Sequence, residues 1–368
     1  MGDEVPFGSN EVRLSPREWV VAGAIIAAIL ALLPVVWALR EPGAFGPDYR
    51  IPYRLSNDYW LYSRYCRAAA RRGGVVVVGD SVVWGHYVAA EQTLSHHLGA
   101  LARDVRFANL GVDGIHPAAL AGLVEHYGRA IRGTKVILHC NLLWMSSKRH
   151  DLRGSKEFAF NHPRLVPQFF PRIPCYGEGF EGRLAAVVGR TLPFMSWAEH
   201  LRIAYFDGNS VQAWSLDHPY ENPLRALGRA LPGPGASPVP NPQSWTARGL
   251  RRFNARWVAL DQSLQWRFFR QTVDILQRRG NRVFVVVGPF NEHMLTDSSR
   301  GIYRERKGQV EHWLRERGIP CFVPAPLPTD LYADASHPLA DGYALLARWL
   351  LADQAFRRFL AQNRGGQP

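Results

Sequence analysis

Cysteine and lysine are both scarce. The four cysteines among 368 residues, Cys66, Cys140, Cys175 and Cys321, lie far apart and match neither a Cys-x-x-Cys metal pattern nor the density of a disulfide scaffold. No metal site follows from them. A single disulfide stays open if the domain faces an oxidising compartment, while Cys140 ends an apolar run and reads as a small buried hydrophobe. Only Lys135, Lys148, Lys156 and Lys307 are lysines; the other 40 of the 44 basic residues are arginines, and the formal net charge is +13. No block of like charge, zinc pattern or RNA-binding motif accompanies that excess, so no nucleic-acid partner is implied. A dispersed arginine surface beside a membrane suits anionic headgroups or an acidic glycan better. Internal repeats, the His-Glu-x-x-His metalloprotease motif and the Gly-x-Ser-x-Gly elbow of α/β-hydrolases are also missing. Apolar residues are not lacking: 47% are hydrophobic and 20% charged, which excludes a largely disordered chain. The length fits one enlarged domain, or a domain with an accessory region.

The uncharged run Trp19–Leu39 has 21 residues, and a helix rising ~1.5 Å per residue would carry it across the ~30 Å hydrocarbon layer. Trp19 and Trp37 mark its ends as interfacial aromatics do. Val36-Trp37-Ala38 has residues small enough for a signal-peptide cleavage site, but the apolar stretch is too long for a signal core and no positive excess precedes it, which favours an uncleaved anchor. Arg13 and Arg17 before the span and Arg40, Arg50 and Arg54 after it give no clear orientation.

The boundaries expected are a tail over 1–18, the anchor over 19–39, a connecting segment over 40–74, an α/β domain over 75–361 and a tail over 362–368. Within the domain, Val75–Gly79 is a continuous β-branched run of the kind buried on both faces of a sheet. Helix Thr93–Arg103, strand Val105–Asn109, helix Ala118–Ile131 and strand Lys135–Cys140 follow. Further on come strand Arg282–Val287, helix Arg304–Arg317, strand Cys321–Val323 and a long helix Asp341–Leu360. Five strands separated by helices predict a parallel, doubly wound sheet, whose working residues gather at the carboxyl edge. Between about 145 and 256 a Pro-, Gly- and aromatic-rich insertion interrupts the rhythm, including Pro232-Gly233-Pro234-Gly235 and Pro238–Pro242; an insertion this long reads as a cap or side lobe.

The first strand runs into Gly79-Asp80-Ser81, which puts a serine hydroxyl at a strand-to-helix turn. The second ends in Asn109-Leu110-Gly111-Val112-Asp113-Gly114 and the third in Cys140-Asn141. The Gly114 amide and the Asn141 side chain are donors of the kind an oxyanion hole needs; Gly111 and Gly114 equally suit a tight turn, and Asn141 the cap of a following one. After the last strand, Asp334-Ala335-Ser336-His337 offers a histidine as base toward Ser81 and an aspartate to fix its tautomer. Asp113–His116 repeats the Asp-x-x-His spacing, but not after the final strand. His96-His97 reads as a solvated or structural pair, and Asp217-His218 has no nucleophile in the expected order.

This ordered set, Gly-Asp-Ser with Ser81, Asn-x-Gly-x-x-Gly with Gly114, Asn141 after the third strand and Asp-x-x-His with Asp334 and His337, resembles the SGNH (GDSL-type) hydrolase family over most of Val75–Leu360. The resemblance implies a flavodoxin-like three-layer α/β/α fold, with Ser81 as nucleophile, His337 as base and Asp334 as its orienting acid. It further implies Ser81, Gly114 and Asn141 as oxyanion donors, and ester hydrolysis or acyl transfer with neither metal nor cofactor. One block departs: the family's usual Gly-x-Asn-Asp reads His139-Cys140-Asn141-Leu142 here. An anchor beside such a domain also resembles, in layout, SGNH-like proteins that modify bacterial surface polysaccharides and teichoic acids. That layout favours an N-terminus inside and a catalytic domain outside the cytoplasm. An ester of a carbohydrate or lipid is the expected substrate, with Asp80, Trp84, His86, His116 and Trp144 as candidates to line its cleft, although tryptophans commonly fill cores. The altered third block keeps open a catalytically idle domain that binds a polysaccharide or scaffolds a cell-envelope complex.

Overall fold

The computed structural model describes residues 14–41, 43, 45–154, 161–234 and 237–362. Most of the N-terminal tail, Gly235 and all but the first residue of the C-terminal tail lie outside the described residues.

Helix α1 spans Pro16–Arg40, opened by a Ser15–Glu18 capping box. It is long and apolar enough to cross a membrane, and almost all of it is exposed; an N-terminal signal sequence fits the same description. Helix α2 (Tyr59–Arg72) precedes strand β1 (Val75–Gly79) and the single turn α3 (Ser81–Trp84). The chain continues through α4 (Leu94–Leu101), β2 (Phe107–Gly111), α5 (Pro117–His126) and β3 (Lys135–Cys140). Four helices then form within the insertion, α6 (Phe180–Thr191), α7 (Pro193–Tyr205), α8 (Val211–Asp217) and α9 (Pro223–Ala226). The rest is α10 (Leu264–Arg278), β4 (Arg282–Val287), α11 (Asp297–Glu316), β5 (Cys321–Phe322), α12 (Ala340–Ala352) and α13 (Gln354–Ala361).

All five strands pair in parallel in the order β2-β1-β3-β4-β5. β1 is buried at every residue. Its side chains alternate between two cores: Val76 and Val78 face one with Phe268, Phe269 and Leu276 of α10, Val75 and Val77 the other with Leu94 of α4 and Leu346 of α12. Each fully buried valine contributes about 1.5–3 kcal/mol, which is why the run needs no polar alternation. Chain order reverses between β1 and β3, so a crevice opens outside their carboxyl ends.

The structure revises several sequence boundaries. Segment 40–74 is no mere connector: α2 buries Trp60, Leu61, Tyr62, Tyr65 and Cys66, and Arg50 and Ile51 are wholly buried. β2 starts at Phe107 rather than Val105, and α4 and α5 end earlier than expected. α11 begins at Asp297, seven residues before Arg304. The expected C-terminal helix is two, because the Asp353 side chain accepts from Phe356 N at 2.8 Å and starts a new N-terminus. The four cysteines form no disulfide with one another.

Helix α1 meets the domain through a buried ionic cluster at its C-terminal end. His200 of α7 donates from Nδ1 to Asp58 at 2.6 Å and from Nε2 to Glu41 at 2.8 Å; Arg64 and Tyr205 also bond Glu41. Burial pushes the His200 pKa down, but the two carboxylates outweigh it and raise it to about 9. The stabilisation is therefore full below the ordinary histidine value of ~6.5 and is lost as pH rises through about 9. His200→Leu, which strands the buried Asp58 carboxylate and leaves Glu41 to Arg64 and Tyr205, should cost about 3–5 kcal/mol. Thermal unfolding of detergent-solubilised protein from pH 6 to 10 should show wild type losing stability across that range and the variant losing less.

Candidate active site

Ser81 is the first residue of α3, one residue beyond β1, and its side chain meets a histidine contributed from the far end of the chain. Ser81 Oγ donates to His337 Nε2 at 2.8 Å. His337 Nδ1 lies 2.8 and 2.9 Å from the two oxygens of Asp334. Nδ1 faces only a carboxylate and so carries the ring proton, which leaves Nε2 bare to accept from the serine. Burial lowers the His337 pKa, yet the Asp334 charge and hydrogen bond outweigh it and the net shift is upward. Asp334 is itself held well below the usual carboxylate range: burial opposes ionisation, but His337 and the amides of Ser336 and His337, which donate to Oδ1 at 3.0 Å, favour it more. The loop is fixed from behind, where Asn291 donates from its amide to Ala335 O and from Nδ2 to Asp334 O.

Beneath the serine lies Asp80, a buried carboxylate whose two oxygens serve four groups. Oδ1 accepts from Val82 N at 3.0 Å and lies 3.1 Å from His139 Nδ1. Oδ2 accepts from Asn141 Nδ2 at 2.8 Å and Trp144 Nε1 at 3.0 Å. Burial raises the Asp80 pKa, but the His139 charge and these donors prevail and bring it to about 2. His139 is braced on its other side, Nε2 lying 3.1 Å from Gly288 O. Gly79 is required where these elements converge, since a Cβ there would stand 2.5 Å from Val83 Cγ2 and 2.7 Å from His139 Cβ.

Asn141 and Gly114 sit at the same sheet edge. Asn141 Oδ1 caps Leu143 N at 3.0 Å while one Nδ2 hydrogen goes to Asp80, so orientation is fixed and a second Nδ2 hydrogen remains. Gly114 has φ of +70°, a left-handed conformation that favours glycine. Its amide has no hydrogen-bond partner among the described residues, and neither has that of Ser81. The turn is pinned by the insertion, where His162 Nε2 bonds Asp113 O at 2.8 Å and Asn161 Nδ2 donates to Gly114 O at 3.4 Å.

Two of the cleft candidates are misplaced by sequence. Trp84 is fully buried, with Nε1 donating to Ile51 O at 2.7 Å and Arg50 stacked on its ring. His116 is buried as the N-cap of α5, Nδ1 accepting from Ala119 N. Neither faces a cleft. Asp80 is equally committed to its four partners. Of the five candidates, His86 and half-buried Trp144 stay close to the opening. Asp113 pairs with His86 at 2.6 Å rather than with His116, and the His86 and Tyr87 rings lie 5.6 and 5.4 Å from His337. Arg248 of the insertion donates to Tyr87 OH at 3.3 Å and Ala333 O at 3.1 Å. His139, Tyr87, Arg50 and Arg248 carry no motif; only strand register and tertiary packing bring them in. His96 pairs with Asp48, and His218 stacks on Trp214 away from the serine.

No group of three or more metal-ligating side chains occurs among the described residues. Compared with known proteins, the chain matches no family model and no curated sequence.

Asp80→Asn would remove the charge that orients His139, Asn141 and Trp144. Its stabilisation is present above the unfolded value of ~3.9 and is lost as pH falls through about 2. The substitution should destabilise the domain by about 3–5 kcal/mol, read as a shift in urea midpoint at pH 7 that narrows as the pH approaches 2.

Proposed function

We propose that the protein is a membrane-anchored serine esterase or O-acyltransferase of the SGNH type, acting on an ester of a carbohydrate or lipid. The observation that carries this reading is the linear array Ser81 Oγ, His337, Asp334, in which, among the described residues, Nδ1 is partnered by a carboxylate alone and Nε2 by the serine hydroxyl alone. The 2-1-3-4-5 order of a flavodoxin-like sheet, with the array at the carboxyl ends of β1 and beyond β5, supports an SGNH-type three-layer fold. Helix α1 is read as an uncleaved anchor, with the catalytic domain outside the cytoplasm.

In this reading Ser81 Oγ attacks the ester carbonyl carbon as its proton passes to His337 Nε2, while Asp334 stabilises the imidazolium. The amides of Ser81 and Gly114 and the second Nδ2 hydrogen of Asn141 bind the oxyanion. Collapse of the tetrahedral intermediate breaks the bond to the leaving oxygen, which takes the proton from His337 and leaves an acyl-serine. Water or an acceptor hydroxyl, losing its proton to His337, then attacks the acyl carbonyl carbon, and collapse breaks the bond to Ser81 Oγ, which takes that proton back as the acyl group leaves. The departure in the third block is absorbed by His139, which reaches Asp80 from the position where the family has glycine.

A serine-directed fluorophosphonate should label wild type and fail on Ser81→Ala. Absence of labelling in wild type under conditions that label a control esterase would favour an idle binding domain. Asn141→Ala should lower turnover of an acetyl ester by about 10²–10³. The base must be neutral, so kcat/KM should fall on the acid side of a pKa above the ordinary ~6.5. Asp334→Asn should move that limb to lower pH along with a large loss of rate.

A further inference from the structure

The side lobe carries an apolar face that stands exposed among the described residues. Phe180, Leu184 and Val188 of α6, then Leu192 and Met195 at the junction with α7, recur at steps of three or four residues and are all exposed, Phe180 by 69% and Leu192 by 50%. Phe169 lies against Phe180 with ring centroids 5.9 Å apart, and its neighbour Phe170 is 91% exposed. Glu181 is the only charged residue among the exposed positions from 180 to 195. One flank of α6 is tied to the lobe: Arg183 donates to the carbonyls of Glu178 and Tyr176 at 2.7 and 2.8 Å.

The position of this face relative to α1 says what covers it. α7 packs on both α1 and α6, and Trp37 of α1 meets Trp197 and Tyr205 of α7 at 6.3 and 5.8 Å. Pro34, six residues before the end of α1, is buried. At ~1.5 Å per residue that burial lies about 9 Å inside the helix end. The lobe therefore flanks the last turns of α1 instead of starting below them. An amphipathic helix with one apolar face, held at that level, matches the geometry of elements that lie in a bilayer surface about 5–10 Å deep.

We infer that the α6–α7 face is a second, monotopic membrane contact, embedded in the lipid interface of the leaflet that α1 leaves at its C-terminal end. The inference rests on α1 spanning the bilayer and is independent of the chemistry at Ser81. The contact fixes the height and tilt of the domain, which a single helix alone would leave free to swing.

The test uses the full chain in vesicles of phosphatidylethanolamine and phosphatidylglycerol, with Cys321→Ser as background and one nitroxide at a time on Leu184→Cys, Leu192→Cys, Ile26→Cys or Leu101→Cys. Collision rates with oxygen, which concentrates in lipid, and with a water-soluble nickel chelate are measured. Leu184→Cys and Leu192→Cys should show an oxygen-to-nickel ratio several-fold above that at Leu101→Cys, which is on the α/β domain and exposed. A ratio equal to that at position 101 places the face in water and overturns the inference, and protection from both reagents assigns it to a protein partner and overturns it too. Ile26→Cys reports on α1 separately: a low ratio there would refute the anchor itself.

Discussion

The Asp80 carboxylate is the constraint on which the serine's surroundings depend. It sits at the junction of β1 and α3 and gathers one donor from the turn, one from β3 and two from the segment after β3. A buried carboxylate without these groups would cost several kcal/mol to ionise; with them it becomes a rivet across two neighbouring strands. The serine above it inherits a fixed backbone, and Asn141 and Trp144 inherit fixed orientations. Asn109 adds a second brace, donating to Val83 O and accepting from Gly111 N. Tyr343 adds a third, from α12 to Val82 O at 2.6 Å.

Arg50 performs the same service for the far end of α3. Its guanidinium donates to Trp84 O and Gly85 O at the end of α3, where a helix leaves carbonyls unsatisfied, and to Val88 O in the segment beyond, at 2.7–2.9 Å. A one-turn helix has little stability of its own. Here Asp80 supplies the cap at its start and Arg50 gathers the carbonyls at its end, so the turn bearing the serine is held by contacts from outside itself. The segment between α1 and β1 therefore belongs to the site as well as to the fold.

Legibility in the sequence followed the kind of interaction involved. β1, β3 and β4 were readable because a strand buried on both faces needs a near-continuous apolar run, and such runs are conspicuous. That Ser81, Gly114, Asn141, Asp334 and His337 would gather at one sheet edge was readable because each lies at the end of an element where local motif and position coincide. α2 was not, since its buried stripe consists of tyrosine, tryptophan and cysteine interleaved with arginine. His139 was hidden for a different reason: its meeting with Asp80 depends on the β1–β3 register, which pairs Val78 with Leu138 and has no signature in either segment alone. Trp84 and His116 misled because adjacency to a motif says nothing about which way a side chain turns.

Ser81 and His337 are 256 positions apart in the chain. During synthesis Ser81 emerges long before His337, and the loop bearing Asp334 and His337 is followed directly by α12, whose Tyr343 bonds the serine's own turn. A chain that stalls or is clipped before residue 333 thus contains the hydroxyl, the Gly114 turn and Asn141 but nothing to accept the serine's proton. The order of the elements along the polypeptide means that the Ser81–His337 contact forms only after the C-terminal elements have been made.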